Sequence, residues 1–77
     1  MRIGELIRKK REELGLTQCE LGDKIGISGQ FISNIERLES LPPKQKIHRI
    51  MTILKIKRYN MMSIMKQEYA NKIIGIF

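Results

Sequence analysis

Gln30, Ser33, Asn34 and Arg37 follow one another at helical spacing, so a helix through them lines up two amides, a hydroxyl and a guanidinium on one face. These groups share a chemistry. A side-chain amide presents a donor beside an acceptor, and a guanidinium forks onto paired acceptors. Such a face is built to read hydrogen-bond patterns. It lacks the Glu/Lys mixture of a routine solvated helix. The other reactive groups stand alone: Cys19 is the lone cysteine and His48 the lone histidine. Neither has a partner for a metal site, and no phosphate loop, dinucleotide fingerprint or catalytic carboxylate pair is present. Catalysis, a cofactor, a metal and a small-molecule ligand are therefore not expected. Both Cys19 and His48 read as surface residues.

The charge is divided unevenly. The chain carries +7 overall, yet residues 1–39 hold seven basic and seven acidic groups. Residues 40–77 hold eight basic groups against Glu68 alone. A basic half points to an anionic partner, either nucleic acid or a membrane surface. A membrane-surface helix would account for the charge but not for the amide-rich face, so no membrane partner is expected.

Seventy-seven residues suit one small domain. Ile, Leu and Phe make up about 30% of the chain, above the ~20% floor below which disorder is expected. The core is thin, and a stability of about 5 kcal/mol is the natural expectation. One cysteine cannot form an internal disulfide, and Met1–Arg11 is too charged for a signal peptide. No apolar stretch approaches the ~18–20 residues of a transmembrane helix, so a cytoplasmic protein is expected.

The elements that would position the face can be read from spacing. Ile3, Leu6, Ile7, Lys10 and Leu14 form one stripe of a first helix over 2–14, with Gly15 as its C-cap. Thr17 and Glu20 form a capping box for a second helix, with Leu16 and Leu21 as its hydrophobic staple. Gly26 ends that helix and Ser28 caps a third, in which Phe31, Ile32, Ile35 and Leu38 oppose the polar arc. Two short helices joined through Gly26, Ile27 and Ser28 form a helix-turn-helix pattern. Pro42 and Pro43 delay a fourth helix to about 44–55, with Ile47, Ile50, Met51 and Leu54 as its stripe. A fifth is expected over Tyr59–Tyr69, with Met62, Met65 and Tyr69 on one side. Ile73, Ile74, Ile76 and Phe77 read as an apolar tail, strand or coil. Residues 1–56 form the expected domain and 57–77 a C-terminal segment.

Residues 3–56 resemble the Cro/C1-type helix-turn-helix family, whose pattern is carried by "LGLTQCELGDKIGIS" followed by "FISNIE". The matching positions are Gln18, Leu21, Gly22, Ile25, Gly26, Ile27, Ile32 and Ile35. The resemblance implies an all-α, compact four- to five-helix, lambda-repressor-like DNA-binding domain. Two positions depart from the family. Gly22 stands where Ala is favoured, and Gly29 where a long polar side chain often begins the recognition helix.

By that resemblance Gln30 and Asn34 hold base-reading positions, and either amide can take adenine in a bidentate pair. Arg37 suits guanine or a phosphate. Phe31 borders the face where it can touch a thymine methyl, or it packs against the second helix. Gln18, Ser28, Ser33, Lys44 and Lys46 fall where backbone phosphates are held, contacts that position without reading sequence. Arg11 and Glu36 correspond to a pair bridging the first and third helices. The implied function is transcription regulation by a homodimer on two-fold symmetric, double-stranded DNA. The dimer interface is expected from Tyr59, Met62, Met65, Tyr69, Ile73 and Ile74. The alternatives are that 59–77 completes its own subunit's core, or that the protein is an antitoxin or adaptor using that segment to bind a protein partner.

Overall fold

A computed structural model describes residues 2–74. It contains α1 (Ile3–Glu13), α2 (Gln18–Ile25), α3 (Gly29–Glu36), one 3-10 turn (Lys44–Lys46), α4 (Ile47–Leu54) and α5 (Arg58–Ile74), with no strand among the described residues. None of these helices is long and apolar enough to cross a membrane.

Local chemistry sets the boundaries. The Glu5 carboxylate accepts from the Arg2 N–H at the start of α1. At its end, Gly15 N–H reaches Glu12 O and Leu16 N–H reaches Arg11 O, so the carbonyls of the last turn are satisfied. The expected capping box of α2 is reciprocal: Glu20 N–H donates to Thr17 Oγ1 at 3.0 Å, and Thr17 N–H to Glu20 Oε1 at 2.9 Å. That bonding, the Thr17 N–H first, holds the Glu20 carboxyl below its ordinary range. Gly26 then takes φ +91°, a conformation that side-chain-bearing residues adopt at a cost. The chain turns there, and Ser28 Oγ accepts from Phe31 N–H to begin α3. Leu38 and Lys55 also occupy the left-handed region, at φ 65° and 57°, where they close α3 and α4 without glycine.

The stripes converge on one core. Ile3, Leu6 and Ile7 meet Leu21, Ile25, Ile32, Ile35, Ile47, Ile50 and Leu54, and Ile56 and Met61 complete it. The isoleucine-rich composition thus serves helices, as its spacing requires.

Three expectations need correction. The fourth helix is a 3-10 turn at Lys44–Lys46 followed by α4, because Lys46 N–H closes a tight bond to Pro43 O and Lys46 itself departs from α-helical geometry at φ -98° and ψ -7°. The fifth helix begins at Arg58 and runs to Ile74, so residues 70–74, read as tail, are helical. Nothing between Tyr69 and Ile74 breaks a helix, and Ala70 and Lys72 favour one. Ile76 and Phe77 lie outside the described residues.

The register of α5 also differs from the expected stripe. Met61 is fully buried, whereas Met62 is 56% exposed. Ile64 and Met65 pack against the core. Glu68 accepts from Arg2 Nε at 2.6 Å and from Ile3 N–H at 2.8 Å. The Tyr69 hydroxyl donates to Pro42 O at 2.6 Å, and burial pushes its pKa up, which keeps the donor proton in place. Of the residues expected at a dimer interface, Met65 and Tyr69 are therefore engaged within their own chain. Tyr59 and Met62 face outward.

Candidate nucleic-acid interface

The third helix is held from two sides. Against α2 the approach is unusually close: a Cβ at Gly22 would collide with Ile27 O and lie 3.1 Å from Gly29 N. A Cβ at Gly29 would in turn lie 3.1 Å from Cys19 Cα. The two departures from the family pattern thus meet at one contact, where the backbones of α2 and α3 come together. Gly29 has no side chain to offer a ligand, and it gives α3 this closer seat.

Against α1 the hold is electrostatic. Arg11 Nε and the NH2 group donate to the two oxygens of Glu36 at 2.7 and 3.0 Å, and Arg11 NH1 donates to Leu16 O at 2.8 Å. Gln18 Nε2 adds a bond to Glu36 Oε1 at 3.1 Å. Glu36 is the one buried charged residue among those described, and its hydrogen bond raises the Arg11 pKa further above the working range. One carboxylate thereby joins α1, the start of α2 and the end of α3. Gln18, expected at a phosphate, faces inward through its NH2 group.

The outer face of α3 carries Gln30 and Arg37, both exposed, with Asn34 and Ser33 half-buried. They are already connected. Gln30 Nε2 donates to Asn34 Oδ1 at 3.0 Å, and Arg37 NH2 donates to the same oxygen at 2.8 Å. Arg37 also reaches Glu39 Oε2 at 3.4 Å. Phe31 is half-buried and packs on the core while keeping one edge at the surface. Ser28 Oγ is committed to its cap.

The two lysines before α4 diverge. Lys46 Nζ lies over Gly26, 3.2 Å from where a Cβ there would stand, so its charge sits on the turn between α2 and α3. Lys44 Nζ stands 5.5 Å from the centre of the Tyr69 ring, a cation–π distance. Cys19 is exposed and so is His48, and no metal-binding cluster exists among the described residues.

Two features escaped the sequence reading. The Asn34 hub depends on rotamers three and four residues apart, which spacing permits but does not specify. The bonds from Glu68 to Arg2 and Ile3 had a signal: Glu68 is the only acidic residue of the basic half, and an isolated carboxylate there invites a search for its partner.

Residues 7–59 match a family model described as helix-turn-helix. An HTH-type transcriptional regulator of Methanothermobacter thermautotrophicus is 43% identical over 49 residues, covering 64% of this chain and 71% of that protein. The ImmF control region 10 kDa protein of Bacillus phage phi105 is 33% identical over 71% of this chain and 61% of its own length. The HTH-type transcriptional regulator SinR of Bacillus subtilis is 30% identical over 78% of this chain and 55% of its own. The chain thus spans little more than half the length of the last two. No solved structure gives a significant match.

Proposed function

Because the chain belongs to the Cro/C1-type helix-turn-helix family, we propose that it is a sequence-specific DNA-binding transcription regulator of the cytoplasm. The observation that carries this is the outer face of α3, where Gln30, Asn34 and Arg37 form one hydrogen-bonded array, with the Lys46 charge on the turn that leads into the helix. A helix entering the major groove reads base edges with such groups, while neighbouring cations hold phosphates. Gln30, Asn34 and the exposed edge of Phe31 take the base-facing roles, with Arg37 bonded to the Asn34 carbonyl beside them. Lys44, Lys46, Ser28, Ser33 and the first turn of α2 at Gln18 take the backbone.

The protein acts as a homodimer. One reading helix spans too few base pairs for strong discrimination, whereas a two-fold pair places two helices about 34 Å apart, one turn of DNA. Tyr59 and Met62, 67% and 56% exposed on α5, supply the apolar surface for association. That same surface favours a second reading, in which an antitoxin or adaptor of this fold uses it to bind a different protein. Site selection from random duplexes, with the mass of the free and bound protein measured by light scattering, separates the two. A regulator enriches one symmetric sequence and binds it as a dimer. Failure to enrich any sequence rejects it.

A further inference from the structure

The geometry points to Arg37 as the residue that decides which base Asn34 reads, by holding the Asn34 carbonyl and leaving Asn34 a donor-only group. This rests on α3 being the base-reading helix. Asn34 Oδ1 receives Gln30 Nε2 at 3.0 Å and Arg37 NH2 at 2.8 Å. A carbonyl oxygen has two lone pairs, and both are filled. The orientation of the amide is forced. A guanidinium has donors and no acceptor, so turning Asn34 around would press its NH2 group against the N–H groups of Arg37. Arg37 is itself tied back to Glu39 Oε2, which keeps its guanidinium along the helix end.

What remains to each amide then differs. Gln30 retains its Oε1 and a second N–H, the acceptor and donor that match adenine N6 and N7. Asn34 retains only its two N–H groups. Adenine needs an acceptor for N6, which Asn34 no longer has, whereas guanine offers O6 and N7, both acceptors. The two amides, equivalent by composition, therefore read different bases. Arg37 is a positioning residue in this scheme, acting through Asn34.

The test uses the full chain and the duplex enriched from a random pool. Asn34→Ala identifies its own base pair; Gln30→Ala also empties one lone pair of Asn34 Oδ1, so the Gln30 pair is the position it relaxes that Asn34→Ala does not. At the Asn34 pair the wild type should favour guanine over adenine by about tenfold. Arg37→Met keeps the aliphatic stem and removes the donors. It should reduce that ratio to about one or below, leave the preference at the Gln30 pair unchanged, and leave the melting midpoint unchanged. Three results would overturn the assignment: adenine preferred by the wild type at the Asn34 pair, no position relaxed by Asn34→Ala, or an intact guanine preference in Arg37→Met. If the wild type enriches no sequence at all, it is the regulatory reading that fails.

Discussion

Arg11 and Glu36 lie twenty-five residues apart and meet through two parallel hydrogen bonds of 2.7 and 3.0 Å, with side chains only 12% and 3% exposed. The pair fixes the end of α3 to α1, and Gln18 adds the start of α2. Removing one partner strands the other in a poorly hydrated site. Glu36→Ala should therefore cost about 3–5 kcal/mol. Glu36→Gln, which keeps the shape and a carbonyl acceptor, should cost less. Urea unfolding measures both, and an unchanged midpoint for Glu36→Ala would show that the pair does not hold the fold.

Gly22→Ala tests the close contact of α2 with the turn. Helix propensity alone predicts a gain of about 1 kcal/mol. The new methyl group would collide with Ile27 O, a backbone atom that cannot rotate away. A net loss of about 1–3 kcal/mol is expected, since the turn and α3 must shift to make room. A more stable variant would mean that the helices separate without strain.

Much of the fold is legible in the sequence, and the reasons are physical. The capping box at Thr17 and Glu20, the turn at Gly26 and the Ser28 cap are local, so sequence neighbours specify them. The core of α1 to α4 follows from the 3.6-residue spacing of Ile and Leu. Long-range choices were less visible. Met61 and Met62 are adjacent and chemically identical, and only the packing of α5 on α1 decides which is buried. Gly22 read as a mild departure from Ala because the closeness of Gly29 and Ile27 lies in the third dimension. Likewise, Gln30 and Asn34 looked equivalent until Arg37 was seen to hold one of them.

The capping box at Glu20 makes stability depend on pH. Its carboxyl is held below the ordinary value of 4.5 by bonds that exist only in the folded chain. The folded state therefore binds that proton less readily than the unfolded state. The contribution is fully present above about pH 5 and is lost as the pH falls through the folded value. Unfolding curves of wild type and Glu20→Gln should differ by a constant amount from pH 5 to 7 and converge on acidification. A difference that does not change with pH would contradict this.

Met62 tests the proposed dimer without touching the core. Its side chain is 56% exposed, so Met62→Glu should leave the subunit folded, with a stability within about 0.5 kcal/mol of wild type when both are compared as monomers at high dilution. In a dimer joined through α5, the two carboxylates would be brought together and desolvated. Light scattering should then report a monomer, and operator affinity should fall. A Met62→Glu protein that remains dimeric would place the interface elsewhere.

Recognition of base sequence by the outer face of α3 is the heart of the proposed function. It is tested most directly by titrating wild type, Gln30→Ala and Lys46→Ala with the enriched duplex and with a random duplex, over a series of salt concentrations. Gln30→Ala should weaken binding to the enriched duplex by about 1–3 kcal/mol and leave the random duplex nearly unaffected. Lys46→Ala should weaken both duplexes alike and reduce the salt slope by about one phosphate's worth. Equal weakening of both duplexes by Gln30→Ala, or none on either, would contradict base reading by this helix.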